Sequence, residues 1–212
     1  VCSATNNGTL SLSGYTGTIL QWEASMDNGS TWVVIANTTN SFVYTNLTTT
    51  TLYLVLIQSG VCASRYSNIA TITVNPATVA GSLSANATVC ATSNSGSISL
   101  AGYTGNITQW ESSTDNGVTW YIITNTTNTL AYNNLTATTL YRALVQSGVC
   151  ISQYSNTITI TVLQAVTIAN AGPDQALCNT SSFSINANTS SSGTGIWTVV
   201  TGNATINNTA NA

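Results

Sequence analysis

The sequence has no lysine and no histidine, and its only cations are Arg65 and Arg142. Its acids are Glu23, Asp27, Glu111, Asp115 and Asp174, and charged residues make up 3% of the 212. A surface with so weak a field has no patch for neutralising phosphates, which excludes nucleic-acid binding. Without histidine, and with few acids, zinc is poorly supplied with ligands, so no metal or cofactor is expected. Nucleophilic and metal chemistry have no lysine, histidine or free cysteine to use in the complete repeats. No apolar run approaches the ~20 residues of a spanning helix. Solubility falls to threonine, asparagine, serine and glycine.

What is present is repetition. "LSGYTGTILQWEASMDNGSTW" (12–32) returns 88 residues later as "LAGYTGNITQWESSTDNGVTW" (100–120), and "QSGVC" (58–62) returns at 146–150. About two-thirds of positions in 1–74 match 89–162 without a gap. Short alternating runs rich in Thr, Val, Ile, Tyr and Trp, punctuated by Gly and Asn, predict an all-β chain. Three units follow: a β-sandwich repeat over 1–75 lacking its first strand, a complete one over 76–163, and the start of a third module over 164–212. Both ends are expected to be cuts from a longer array. Pro76 ends the last strand of the first unit, and the short linker predicts an extended array. In the strand around Tyr53, Leu54 becomes Arg142 in the second copy, so the Tyr53–Val55–Ile57 face is expected inside and the Leu54 face outside.

Five cysteines complete the pattern. Equal spacing in both copies makes Cys2–Cys62 and Cys90–Cys150 the simplest pairing. Each bond closes a loop of about 60 residues, worth about 4 kcal/mol in the chain-entropy model. Disulfides imply an oxidising compartment. Cys178 lies 88 after Cys90; either its partner falls beyond residue 212 or it is a free thiol.

Ser25-x-Asp27-x-Gly29-x-x-Trp32 and Ser113-x-Asp115-x-Gly117-x-x-Trp120 fit S-x-D-x-G-x-T-W. They resemble the Asp-box, a small hairpin of sialidases and other secreted proteins. Asn-Gly supplies the turn, the carboxylate accepts turn N–H bonds and the Trp anchors the hairpin. The box is read as a fold element. Glu23 with Asp27, and Glu111 with Asp115, sit on one hairpin each rather than across a cleft, so neither pair is read as a glycosidase dyad. No catalytic residue is assigned. Trp22 and Trp110 are read as core, while Trp32 and Trp120 are candidate glycan contacts. Asp174 in "AGPDQ" is a weak calcium candidate, one carboxylate among neutral neighbours. Leu47 to Tyr53 and Leu135 to Tyr141 resemble the tyrosine corner of fibronectin type III domains, which implies that the Tyr53 and Tyr141 hydroxyls pin a crossing loop.

Together "GSLSANATVC", "LxGYTGxIxQWExSxDNGxTW", "NLTxTTLYRALVQSGVC" and "YSNxxTITV" resemble the immunoglobulin-like repeats of giant surface proteins of Bacteroidota, and "NAGPDQALCN" resembles their PKD-like units. The resemblance implies tandem immunoglobulin or fibronectin-III-like sandwiches with one disulfide each. It also implies export by the type IX secretion machinery to the outer face of a Gram-negative cell, and a non-catalytic stalk role in adhesion, gliding adhesins included. Surface glycans or other cells are the implied partners. The alternatives are carbohydrate binding through Trp32 and Trp120, or a subunit that self-associates laterally into a filament or sheath.

Overall fold

The computed structural model describes residues 1–212 except 85, 92, 177, 179–183, 185–186, 190–193, 204 and 207–212. Every regular element among the described residues is a strand. The first unit holds β1 (Asn7–Ser11), β2 (Thr18–Ser25), β3 (Val33–Ile35), β4 (Ser41–Thr45), β5 (Thr51–Gln58), β6 (Arg65–Tyr66) and β7 (Ala70–Ile72). The second holds β8 (Ser82–Leu83), β9 (Ala87–Cys90), β10 (Ser95–Ala101), β11 (Asn106–Ser113), β12 (Tyr121–Ile123), β13 (Thr129–Asn133), β14 (Thr139–Gln146), β15 (Gln153–Tyr154) and β16 (Ile158–Leu163). No strand lies beyond Leu163 among the described residues.

Each unit is two sheets. In the first, β1 pairs β4, and the larger sheet runs β3-β2-β5-β6, with β7 also on β5. In the second, the small sheet is β13-β10-β8 and the larger runs β12-β11-β14-β16-β9, with β15 also on β14. The register repeats down to the irregularity between Ile19 and Gln21, which recurs between Ile107 and Gln109. The strand face that alternation assigns to the interior is inside: Tyr53, Val55, Tyr141, Ala143 and Val145 are all buried. The opposite face differs from expectation. Leu54 is itself buried, and Arg142 is three-quarters covered, its side chain 23% exposed.

The second core is the larger. Ile98, Leu100 and Leu130 from its small sheet meet Trp110, Ala143, Val145, Ile158 and Ile160 from the other. The first core centres on Ile19, Trp22 and Val55, with Leu10, Leu12 and Phe42 only partly covered. The difference follows from β8, whose Leu83 pairs Leu100 and closes the second small sheet; the first has no such strand. Each central Trp is satisfied at its polar end, Trp22 Nε1–H donating to the Thr39 carbonyl at 2.9 Å and Trp110 to Thr127 at 3.0 Å.

The cysteine pairing departs from the sequence expectation. One disulfide joins Cys2 to Cys150, 148 residues apart, leaving Cys62, Cys90 and Cys178 as exposed free thiols. Topology explains why Cys2–Cys62 and Cys90–Cys150 do not form. Cys2 bridges Asn75, beyond the C-terminal end of β7. Because β7 runs antiparallel to β5, that end lies beside Thr51. Cys62 follows the far end of β5, roughly 20 Å away at ~3.3 Å per residue, and a disulfide needs Cα atoms within ~7 Å. Cys90, opposite Leu163, is separated from Cys150 by the length of β14 in the same way.

The bond therefore closes a junction. The Val1 ammonium donates to the Thr73 carbonyl at 2.7 Å, Asn75 N–H to Val1 and Ser3 N–H to Asn75, each at 2.8 Å. Past Pro76, Ser147 N–H donates to Thr78 Oγ1 at 3.1 Å, and Val79 and Thr104 exchange backbone bonds. Cys150 is 3% exposed, with the Pro76 carbonyl oxygen 3.3 Å from its sulfur.

Candidate functional site

The chemistry-bearing residues gather on the outer face of each larger sheet, around the hairpin that carries the acidic turn. β2 ends at Ser25 and β11 at Ser113, both buried serines. Ser25 Oγ–H donates to Asp27 Oδ1 at 2.7 Å and accepts from Gly29 N–H at 2.8 Å. Thr31 donates its N–H to Asp27 Oδ1 at 2.9 Å and its hydroxyl to Oδ2 at 2.6 Å. Asn28 and Gly29 hold φ of 60° and 88°, the left-handed region that Asn and Gly enter at least cost. The second turn repeats this: Ser113 to Asp115 at 2.7 Å, Gly117 to Ser113 at 2.9 Å and Thr119 N–H to Asp115 at 2.9 Å. The bond from the Thr31 hydroxyl, with those from Thr31 N–H and Ser25, lowers the Asp27 carboxyl to about 2. Asp115 falls to about 2 chiefly through Thr119 N–H and Ser113. Both stay ionised as acceptors, with their oxygens committed to the turn.

The second carboxylate is spent differently in the two units. Glu111 lies directly across from Arg142. Arg142 Nη2 and Nε both reach Glu111 Oε2 at 2.7 Å, Tyr154 OH donates to Oε1 at 3.0 Å and Gln109 Nε2 at 2.6 Å. Burial pushes the Glu111 carboxyl up, but the bonds from Arg142, Tyr154 and Gln109 outweigh it and hold it below its ordinary value. The guanidinium is clamped between two rings, 3.9 Å from the centroids of Trp120 and of Tyr154. In the first unit, Glu23 keeps the bonds from Gln21 (2.6 Å) and Tyr66 (3.0 Å). It faces Leu54 instead of an arginine. Arg142–Glu111 is the only ion pair among the described residues.

Trp32 and Trp120 are half-buried. One face of Trp120 is taken by Arg142, so less of the ring is free for a sugar than its position suggests. Tyr53 and Tyr141 are buried rings, packed 5.3 Å from Phe42 and 6.5 Å from Tyr132. Neither hydroxyl makes a hydrogen bond among the described residues, unlike the corner that their spacing resembles. Asp174 is exposed, and no three potential metal ligands gather among the described residues.

Two asparagines and two serines do work that the sequence reading missed. Asn6 Nδ2 donates to the Cys2 and Leu47 carbonyls while its Oδ1 accepts from Leu47 N–H; Asn94 does the same with Cys90 and Leu135. Ser67 and Ser155 accept the Val55 and Ala143 N–H groups. Their signal was their identity in both copies, hidden in a chain crowded with serine and asparagine.

A family model described as Domain of unknown function (DUF8696) matches residues 1–76 and again 79–164. No curated protein matches the chain. Similar solved structures include the chicken CNTN1 FN1-FN3 domains, at 13% identity and a TM-score of 0.39, covering 78% of this chain and 64% of that one. A marsupial T cell receptor matches at 13% and 0.48, covering 82% and 75%. The N-terminal four Ig domains of Dscam1 isoform 1.9 match at 13% and 0.41, covering 78% and 42%. The chain thus spans 64% of the CNTN1 FN1-FN3 structure's length. At these scores the likenesses carry no functional weight.

Proposed function

The chain belongs to the DUF8696 family, twice over along its length, and from that premise we propose that it is a non-catalytic spacer segment of a large secreted adhesin. The parent protein sits on the outer face of a Gram-negative cell and reaches it through the type IX machinery, as the repeat's resemblance implies; gliding adhesins are among such parents. The observation that carries this reading is the junction: the units are joined by a short hydrogen-bonded linker and a covalent cross-link between them. The carboxylates Asp27, Asp115, Glu23 and Glu111 are engaged in bonds within their own unit. That pattern supports holding a distance rather than turning over a substrate.

The test is a cell whose own copy lacks residues 1–163. Antibody labelling of intact cells should show the segment outside before deletion, and adhesion should fall after it. Rescue by an unrelated rigid spacer of equal length supports the spacer reading. Rescue that needs the native modules, and is lost in Trp32→Ala, points instead to direct glycan binding.

One observation favours a second reading, lateral self-association. β3 and β12 are edge strands, and Val33, Val34, Tyr121 and Ile122 on them are well exposed. Sedimentation of the chain at rising concentration tests it; a monomer throughout, with no ordered polymer by imaging, dismisses it.

A further inference from the structure

The two acidic turns expose a chemically labile pair of residues each, Asn28–Gly29 and Asn116–Gly117. Asparagine is thermolabile, and most so before glycine. Glycine has no side chain to hinder its nitrogen, which can bond to the asparagine Cγ and expel ammonia as a succinimide ring closes. Both asparagine side chains are exposed, and neither carboxamide is hydrogen-bonded among the described residues. Asn37 and Asn125, at the next bend of each unit, are by contrast pinned at both ends. Asn37 donates to the Ser41 carbonyl and accepts from Thr39 N–H; Asn125 does the same with Thr129 and Thr127.

What the turn does hold is the attacking nitrogen. Gly29 N–H donates to Ser25 Oγ at 2.8 Å, and Gly117 N–H to Ser113 Oγ at 2.9 Å. The serines are buried, 1% and 0% exposed. Each gives its own proton to Asp27 or Asp115 at 2.7 Å, so the lone pairs left on Oγ are the ones that meet the glycine. Ring closure requires hydroxide to strip the glycine N–H of its proton. An amide bonded to a buried acceptor yields that proton only when the turn opens.

We propose that Asn28 and Asn116 are latent deamidation sites, and that Ser25 and Ser113 keep them shut by holding the Gly29 and Gly117 nitrogens. When the serine bond opens, hydroxide takes the glycine proton and the nitrogen bonds to the asparagine Cγ. The side-chain Cγ–N bond breaks, and ammonia leaves with a proton from water. A water molecule then opens the imide at either carbonyl, giving an aspartyl or an isoaspartyl residue. The net exchange is an amide and a water for a carboxylate and an ammonium ion. The new carboxylate lies beside Asp27 or Asp115, whose oxygens are already committed to the turn. The isoaspartyl form also lengthens the turn's backbone by a carbon. Either product disturbs the ground beneath the neighbouring ring, since a side chain built at Gly29 lies 3.8 Å from Trp32 and one at Gly117 lies 3.6 Å from Trp120.

The test uses the whole chain with Asn7→Ser, which removes the remaining asparagine–glycine pair and places there the residue that its repeat partner Ser95 carries. Samples are held in a mildly alkaline buffer, and peptide mapping by mass spectrometry follows the amide-to-acid exchange and the isoaspartyl product at each turn. Both turns should convert at least about tenfold more slowly in the folded chain than in the same chain unfolded in urea. Ser25→Ala should speed Asn28 at least about tenfold and leave Asn116 unchanged, and Ser113→Ala should do the reverse. Hydrogen exchange on the same samples separates an opened turn from an unfolded unit. In Ser25→Ala the Gly29 amide should exchange faster while the β2 and β5 amides keep their protection. Should Ser25→Ala unfold the first unit, Ser113→Ala in the second, with its larger core, decides the matter. Three results would each overturn the proposal: equal conversion in folded and unfolded chains, conversion unchanged by the alanine while the sheets stay protected, or both turns responding to either variant.

Discussion

The carboxamide of Asn75 occupies the space that a side chain at Gly148 would have to enter, while at the repeat partner Gly60 that space is empty. The two glycines share nearly the same backbone, with φ of 51° and 54°. Alanine at either meets the left-handed penalty of about 1–2 kcal/mol. Only Gly148→Ala also meets Asn75, which adds about 1–3 kcal/mol of overpacking. Urea unfolding of the two variants should therefore rank Gly148→Ala as the more costly by at least about 1 kcal/mol. Equal losses would mean that Asn75 yields freely and the linker contact is loose.

Loss of the cross-link should be selective. Cys2→Ser or Cys150→Ser, or reduction of the wild-type chain, should lower the melting temperature, with a ceiling of about 5 kcal/mol in the chain-entropy model for so long a loop. Cys62→Ser and Cys90→Ser should leave the monomer's melt unchanged. Peptide mapping under non-reducing conditions checks the pairing directly, and a Cys2–Cys62 peptide would refute it.

Acid should loosen the two turns. Asp27 and Asp115 hold values near 2 in the folded chain, below the ordinary 3.8. The fold thus favours the ionised form, and this contribution is complete above about pH 4 and lost as pH falls through about 2. Melting temperature measured from pH 5 to pH 2 should drop over that window. The drop should shrink in an Asp27→Asn, Asp115→Asn double variant; an undiminished drop assigns the acid sensitivity elsewhere.

Arg142 should matter to the second unit as nothing matching it does in the first. Arg142→Ala strands the Glu111 carboxylate, whose side chain is 6% exposed, at a cost of about 1–3 kcal/mol. Arg142→Leu should cost less, because Leu54 fills the same cross-strand position beside Glu23. Denaturant unfolding followed by Trp fluorescence measures both. A leucine variant no better than alanine would show that the clamp's rings, not its volume, hold the face together.

The sheets were legible because the repeat checks every strand against a second copy, so alternation errors cancel and Tyr53, Val55, Trp22 and their partners fall on the core face. The turns were legible too, since Asn28-Gly29 needs no tertiary context to bend. The disulfide was not. A repeat offers the same arithmetic for Cys2 with Cys62 as for Cys2 with Cys150, and only the direction of β7 against β5 separates them. The Arg142 clamp escaped for a related reason. Substituting an arginine for Leu54 shows which face is outward, but not that Trp120 and Tyr154 fold over it. Asn6 and Ser67 act on backbone groups brought near by the fold, a relation that spacing alone does not encode.

The Cys2–Cys150 bond also decides how the chain carries tension. Pulled at residue 1 and beyond Leu163, a reduced chain would transmit force through every strand and pay out its length as the sheets gave way. With the bond intact, force entering at Cys2 crosses two sulfur atoms to Cys150 and leaves through β15 and β16. The segment between, spanned by a separation of 148 residues, is relieved of load. About 500 Å of slack, at ~3.3–3.6 Å per extended residue, is locked away until a reductant releases it. The redox state of one bond thus sets whether this stretch behaves as a tether of fixed length or as an extensible one.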